Sequence, residues 1–272
     1  MSHSPTKFQL NVLAQTLAKL HQPGNPLILA NVYDGASARV VASHHPWPTQ
    51  AIATASYAIA ASQGVEDDDL TWEQNRVGIA NVVAGMRQAG KWGVVPLSAD
   101  LQDGYGGEGA DGADGVGATI REAIEQLGVV GANLEDYDAK KQVLRTKDEA
   151  VARIRAAVAA ARAVGVPDFV VNARTDLLGF GGSLADVVDR GRAFLDAGAT
   201  TVFVWGVGKY TLTQADVTSL VDAFAGRLAV QPGALGIPLL KQLGVARISV
   251  GPAVWRKALA EFDLEAVKVM ES

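Results

Sequence analysis

The 272-residue chain repeats one pattern almost from end to end: a short run rich in β-branched residues, then a longer helical stretch. Eight such runs occur, at residues 27–31, 51–56, 94–100, 131–136, 169–176, 200–206, 227–231 and 246–250. Most are apolar at successive positions rather than at alternate ones. That is the mark of a strand buried on both faces, as in a parallel sheet covered by helices. Amphipathic segments fill the intervals, at residues 72–88, 116–127, 147–164, 183–197, 213–225 and 237–243. Asp148 and Glu149 open the third of these, where negative charge suits a helix N-terminus. Ser183 is placed to cap the fourth and Gly198 to stop it.

Eight strand–helix units predict an α/β fold of the (β/α)8 TIM-barrel type. A doubly wound open sheet is the competitor, but no GxGxxG follows the first strand. The sequence reads as a single barrel over residues 27–272, preceded by an N-terminal helical extension over residues 1–26. A C-terminal helix over residues 253–269 is apolar enough to pack on a neighbouring copy or to cover its own barrel.

Composition narrows the functions available. Lys and Arg total 24 against 29 Asp and Glu, a net charge of −5. Such a chain offers no basic stripe for a phosphate backbone, so no nucleic-acid partner is expected. It has no cysteine, which removes disulfides, thiolate zinc sites and thiol nucleophiles. Its four histidines (His3, His21, His44 and His45) all lie near the N-terminus, which disfavours a histidine-rich metal site. No apolar run is long enough to span a bilayer, and the start lacks the apolar core of a secretory signal. A cytoplasmic protein without a membrane partner is expected.

In such barrels, functional groups project from the C-terminal ends of the strands. Those ends are acidic here. Asp67 lies in the loop after the second run, Asp100 closes the third, Glu135 and Asp136 the fourth, and Asp176 the fifth. Carboxylates gathered at neighbouring strand ends repel one another unless a cation sits between them. A hard ion with oxygen ligands, Mg2+ or alternatively Mn2+, would meet that need. The competing reading is that each acid caps a helix or pairs with a Lys or Arg. Arg174 has the planar fork that suits an anionic substrate. Its competing role is to satisfy the nearby acids. Asn172 is a candidate for a further hydrogen bond to substrate.

Five motifs occur in order: TASYAIAASQGVEDDD (54–69), SADLQDGYG (98–106), NLED (133–136), NARTD (172–176) and RISVGP (247–252). Together they resemble the isocitrate lyase/phosphoenolpyruvate mutase superfamily over residues 27–255. The resemblance implies a (β/α)8 barrel that binds Mg2+ and a small α-oxo acid and makes or breaks the adjacent P–C or C–C bond. It also implies a homo-oligomer, a tetramer or a dimer. By the same resemblance Asp100 is the principal metal ligand. Asp67 and Glu135 hold metal-bound water, and Gln102 belongs to the same metal set. Arg174 binds the anionic group, and Ser56 and Tyr57 grip the α-oxo carboxylate. Asp67, Tyr57 and Arg174 are thereby the candidate catalytic residues.

Three departures from the family's pattern matter. Gln102 stands where a second acid is usual, leaving Asp103 as a possible substitute. The stretch 140–145 (KKQVLR) lacks the cysteine that the lyase branch uses as acid and base. Trp205 replaces a glutamate at the end of the sixth strand, which implies a more aromatic pocket. The missing thiol disfavours isocitrate and 2-methylisocitrate cleavage by the cysteine route. A phosphonomutase-like lyase or hydrolase is the leading reading. An oxaloacetate-type decarboxylase or hydrolase, or a non-catalytic α-oxo acid binding protein, is the alternative. The glycine-rich stretch 103–117 reads equally as a mobile gate and as a solvated loop.

Overall fold

The computed structural model describes residues 4–44, 49–106 and 109–271, with the side chains of 109–111 left aside. The chain opens with α1 (Lys7–Leu20) and the paired segments β1 (Leu27–Leu29) and β2 (Asn31–Val32). Then come α2 (Gly35–Ala42), β3 (Ile52–Thr54), α3 (Ser56–Ser62), α4 (Trp72–Gln88), β4 (Leu97–Asp100), α5 (Gly109–Leu127) and β5 (Gly131–Glu135). A hairpin of β6 (Tyr137–Asp138) and β7 (Val143–Leu144) follows, then α6 (Lys147–Ala163), β8 (Val170–Thr175) and α7 (Leu184–Asp196). The chain ends with β9 (Thr201–Val204), α8 (Gln214–Ala223), β10 (Leu228–Val230), α9 (Gly236–Leu243), β11 (Arg247–Ser249) and α10 (Ala253–Glu271).

Nine segments form one parallel sheet in the order β1-β11-β10-β9-β8-β5-β4-β3-β2. Its two edge segments are separated by Ala30 alone: β1 pairs with β11 and β2 with β3. The first stave is therefore one strand broken at a single residue, and the sheet closes into the expected eight-staved barrel. Asn31 pins this seam. Its side chain donates to the Thr54 carbonyl (2.8 Å) and accepts from the Gly251 N–H (3.1 Å).

The staves are buried because helices cover them outside and side chains fill them inside. Ile52, Leu97, Ala132, Val171, Val202, Val230 and Ile248 are all buried. The helices start where side chains answer their first N–H groups. Thr6, Asp34, Thr71, Thr146, Ser183 and Thr213 each form a capping box, which bears out the expected Ser183 cap. The leading helix is not a separate appendage. Leu10, Leu13, Ala14 and Leu17 of α1 join the same core, and a Cβ on Gly131 would meet Leu17 Cδ2 at 2.7 Å.

Two helices, α2 and α3, and the first turns of α5 are not visible in the sequence pattern. The apolar run 51–56 ends its strand at Thr54, and Ser56 already begins α3. The glycine-rich stretch also differs from its expected form. Residues 107 and 108 lie outside the described residues, but α5 begins at Gly109, so half of the supposed loop is helix. Its glycines serve close packing: a Cβ on Gly115 would lie 2.5 Å from the Gly106 carbonyl oxygen.

The same device joins α2 to α4, where a Cβ on Gly85 would stand 2.1 Å from the Gly35 carbonyl oxygen. Alanine gains about 1 kcal/mol over glycine in a helix interior, but backbone cannot yield as a flexible side chain does. Gly85→Ala is therefore expected to cost about 3 kcal/mol net. That corresponds to roughly 6–12 °C in a thermal melt; an unchanged melting temperature would show that the two helices can part freely.

Candidate active site

The C-terminal ends of β3, β4, β5 and β8 meet at one mouth of the barrel. Asp100 ends β4, and both of its backbone groups are held. Its N–H donates to Thr54 Oγ1 (2.8 Å), and its carbonyl accepts from Asn75 Nδ2 (2.9 Å). Asp100 Oδ2 accepts from the Ser56 N–H (3.1 Å). Asp67 lies in the one-turn 3-10 helix Asp67–Asp69 between α3 and α4. Gln102, in a left-handed backbone conformation (φ 48°), donates through Nε2 to the Asp67 carbonyl (2.7 Å) and to Asp67 Oδ1 (3.1 Å).

Burial and the nearby Asp100 carboxylate push the Asp67 carboxyl up to about 6. Burial also drives Glu135 well above its ordinary value, against the pull of Arg174. Arg174 is itself paired with two acids. It donates through Nε and Nη2 to the two oxygens of Asp176 (2.7 and 2.6 Å) and lies 2.7 Å from Glu135 Oε2 through Nη1. The Trp205 ring covers its face, with the guanidinium carbon 4.2 Å from the ring centroid. Burial opposes the charge of Arg174, but Asp176 and Glu135 outweigh it and its pKa is raised.

Asp67, Ser56, Asp100, Gln102, Glu135 and Arg174 are thus brought to one mouth. Among the described residues no group of three or more His, Cys, Asp or Glu is arranged to hold a cation. Glu135 Oε2 is paired with Arg174, and Gln102 donates to Asp67 through Nε2. Asp103, the substitute for the missing acid, is claimed by Arg145 Nη2 (2.5 Å) and Arg153 Nη2 (3.0 Å). Asp136 is held by Thr175 Oγ1, the Asp176 N–H and Arg190 Nη1. What remains is Asp100 with Asp67. That pair fits Mg2+, which commonly keeps several waters and takes only one or two carboxylates from the protein. The repulsion already felt at Asp67 is what a cation would relieve.

Two further residues expected to contact substrate have protein partners of their own. Tyr57 turns its ring edge-on to Trp255 (5.7 Å between centroids), with Arg256 over its face (4.9 Å). Asn172 is fully buried, donating to Asn133 Oδ1 (2.9 Å) and accepting from Thr201 Oγ1 (2.6 Å). Arg247 joins it from β11, donating to the same Asn133 oxygen (3.1 Å) and to Ser249 Oγ (3.1 Å). Asn172 therefore belongs to a polar layer inside the barrel. Arg247 has no carboxylate in that layer, and burial pulls it down to about 10 against the attraction of Asp100.

The sequence reading missed Thr54 and Asn75, which fix Asp100, and Asp176 as the bidentate partner of Arg174. The last had a signal in the two-residue spacing within NARTD. The other two lie on different elements and had none.

Because Asp67 is held above its unfolded value, it favours folding only at low pH. That contribution is complete below about 4 and lost as the pH rises through about 6. Asp67→Asn keeps an acceptor for Gln102 and removes the charge. In metal-free protein it is expected to raise stability at pH 7.5 by about 1–3 kcal/mol, discounted for partial exposure. The gain should fade towards pH 4 in paired thermal melts; a pH-independent difference would contradict the strained carboxylate.

These features define a parallel (β/α)8 barrel with an acidic, arginine-bearing mouth. The chain belongs to the phosphoenolpyruvate phosphomutase family, whose model matches residues 17–270. It is 31% identical over 204 residues to the Corynebacterium glutamicum protein named probable 2-methylisocitrate lyase 1, covering 72% of this chain and 57% of that one. It is 28% identical over 194 residues to the phosphoenolpyruvate phosphomutase of Streptomyces hygroscopicus, covering 68% of this chain and 56% of that one. These alignments thus span little more than half the length of either curated relative. Among solved structures, 2,3-dimethylmalate lyase superposes with a TM-score of 0.79 at 28% identity, over 97% of this chain and 88% of that one.

Proposed function

We propose that this chain is a Mg2+-dependent enzyme acting on a small α-oxo acid through its enolate, making or breaking the adjacent P–C or C–C bond. The observation that carries this reading is the Asp100 carboxylate, held at the mouth by Ser56 and flanked by the strained Asp67. Mg2+, or Mn2+ in its place, supplies Lewis-acid chemistry to a chelating α-oxo carboxylate. Membership in a family whose named relatives include lyases and a mutase supports an enzyme.

The chain's own groups divide the work. Asp100 and Asp67 would hold the ion. Ser56 holds Asp100 in place. Arg174 pairs with Glu135 and Asp176 and would turn its remaining N–H groups to the substrate's anionic end. The β6–β7 hairpin limits water access, and Arg145 anchors it through Asp103 and Asp138. A homo-oligomer, tetramer or dimer, is part of the same reading. Helix α10 has no buried residue and exposes Phe262, Val269 and Met270.

The test is direct. With Mg2+ present, phosphonopyruvate, oxaloacetate and 2-methylisocitrate are offered in turn and pyruvate is followed. Release from at least one is expected, stopped by a chelator and restored by Mg2+ or Mn2+. No product from any of the three, with α-oxo acid binding retained, would make the chain a binding protein.

A further inference from the structure

A cavity of about 360 Å3 opens beside the site, bounded by the β6–β7 hairpin and the turn before α4. Gln102, which donates to Asp67, and Glu135, which pairs with Arg174, line it, so it borders the mouth that carries the candidate metal site. Leu70, Trp72, Tyr105 and Tyr137 contribute much of its wall. The polar tips of two of these rings are already satisfied by protein. Trp72 Nε1 donates to Glu122 Oε2 (2.7 Å), and the Tyr105 hydroxyl accepts from Asn75 Nδ2 (2.8 Å). A volume of this order suits a sizeable organic group and exceeds what a three-carbon acid fills.

Its charges argue against a dianionic occupant. The cations on the wall are Arg145 and Lys140. Arg145 lies between Asp103 (2.5 Å) and Asp138 (3.1 Å). Lys140 is then the other cation on a wall that also carries Asp68 and Asp69. At the adjoining mouth, Arg174 is balanced by both Glu135 and Asp176. Among the described residues around this cavity, no surplus cation is left to meet a phosphono group, which wants several charged donors.

We propose that the substrate is an α-oxo acid whose third carbon bears an uncharged, apolar substituent, namely a 4-hydroxy-2-oxo acid with an alkyl or aryl tail. The bond broken is C3–C4. This deepens the α-oxo acid reading above and rests on it. The C4 hydroxyl proton passes to a wall carboxylate, the C3–C4 electron pair becomes the enolate of pyruvate, and the tail leaves as an aldehyde. The proton then returns to C3. Atoms balance, and no oxidant or reductant takes part.

The experiment compares 4-hydroxy-2-oxo acids whose tails run from methyl to butyl with phosphonopyruvate, using the full chain and Mg2+ and following pyruvate. A calorimetric series from pyruvate to 2-oxoheptanoate provides a readout independent of turnover. About tenfold or more in both kcat/KM and affinity is expected across each series, since one buried methylene contributes at most about fourfold. Tyr137→Ser is expected to flatten the dependence on tail length. Equal use of all tails, or preference for phosphonopyruvate, would overturn the inference and leave the α-oxo acid reading standing. Failure of every α-oxo acid to bind would overturn both.

Discussion

Asp100→Asn is expected to leave a folded barrel that no longer binds Mg2+ and has lost about 10^3-fold in kcat/KM. The fold should survive because the backbone contacts of Asp100, to Thr54 and Asn75, do not involve its carboxylate. Asparagine keeps an oxygen for the Ser56 N–H. Only the charge is lost, at the point where it is aimed at the reacting centre. Removing one such preorganised electrostatic contact commonly costs about 10^2–10^3-fold in kcat. The weakened hold on the ion adds to this through KM. Mg2+ titration by calorimetry and a steady-state assay check both parts. Undiminished Mg2+ affinity in Asp100→Asn would move the ion away from β4.

Arg174→Ala carries the second large effect, and it falls on the fold as much as on the substrate. From the sequence alone this change should chiefly raise KM. The structure shows a guanidinium that neutralises two buried carboxylates, Glu135 and Asp176. Truncation leaves both uncompensated, and breaking a buried pair from one side typically costs about 3–5 kcal/mol. The loss should be greatest at neutral pH and shrink in acid, where the stranded carboxyls take up protons. Arg174→Lys restores charge without the planar fork, so partial recovery is expected. Urea denaturation at pH 7.5 and pH 5 separates the two effects. An Arg174→Ala protein of native stability that is defective only in KM would restore the simpler reading.

What could be read in one dimension follows from the physics. The eight staves were visible because a strand covered on both faces must be apolar throughout, as VVNAR and TVFV nearly are. The break at Ala30 left no trace, because one residue without ladder pairing changes no composition. Ser56 was read as strand because ATAS continues an apolar run; only the position of α3 shows that it starts a helix. The first turns of α5 were missed because glycine disfavours helix locally, while tight packing between Gly106 and Gly115 overrides that preference.

At the site, Asp100, Glu135 and Arg174 stood out because each ends an apolar strand. Their partners did not. A carboxylate looks the same in sequence whether it awaits a cation or already holds a guanidinium. Asp103 and Glu135 both have arginine partners in the structure, a pairing that their sequence positions do not reveal.

The layer formed by Arg247, Asn133, Asn172 and Thr201 bears on any attempt to redesign this molecule. Four staves are cross-braced there by side chains that hydrogen-bond to one another. Varying one of these positions at a time should yield mostly inactive clones, because each single change orphans a neighbour. Joint replacement of the whole set by apolar residues of similar volume is the route by which a library could cross that barrier.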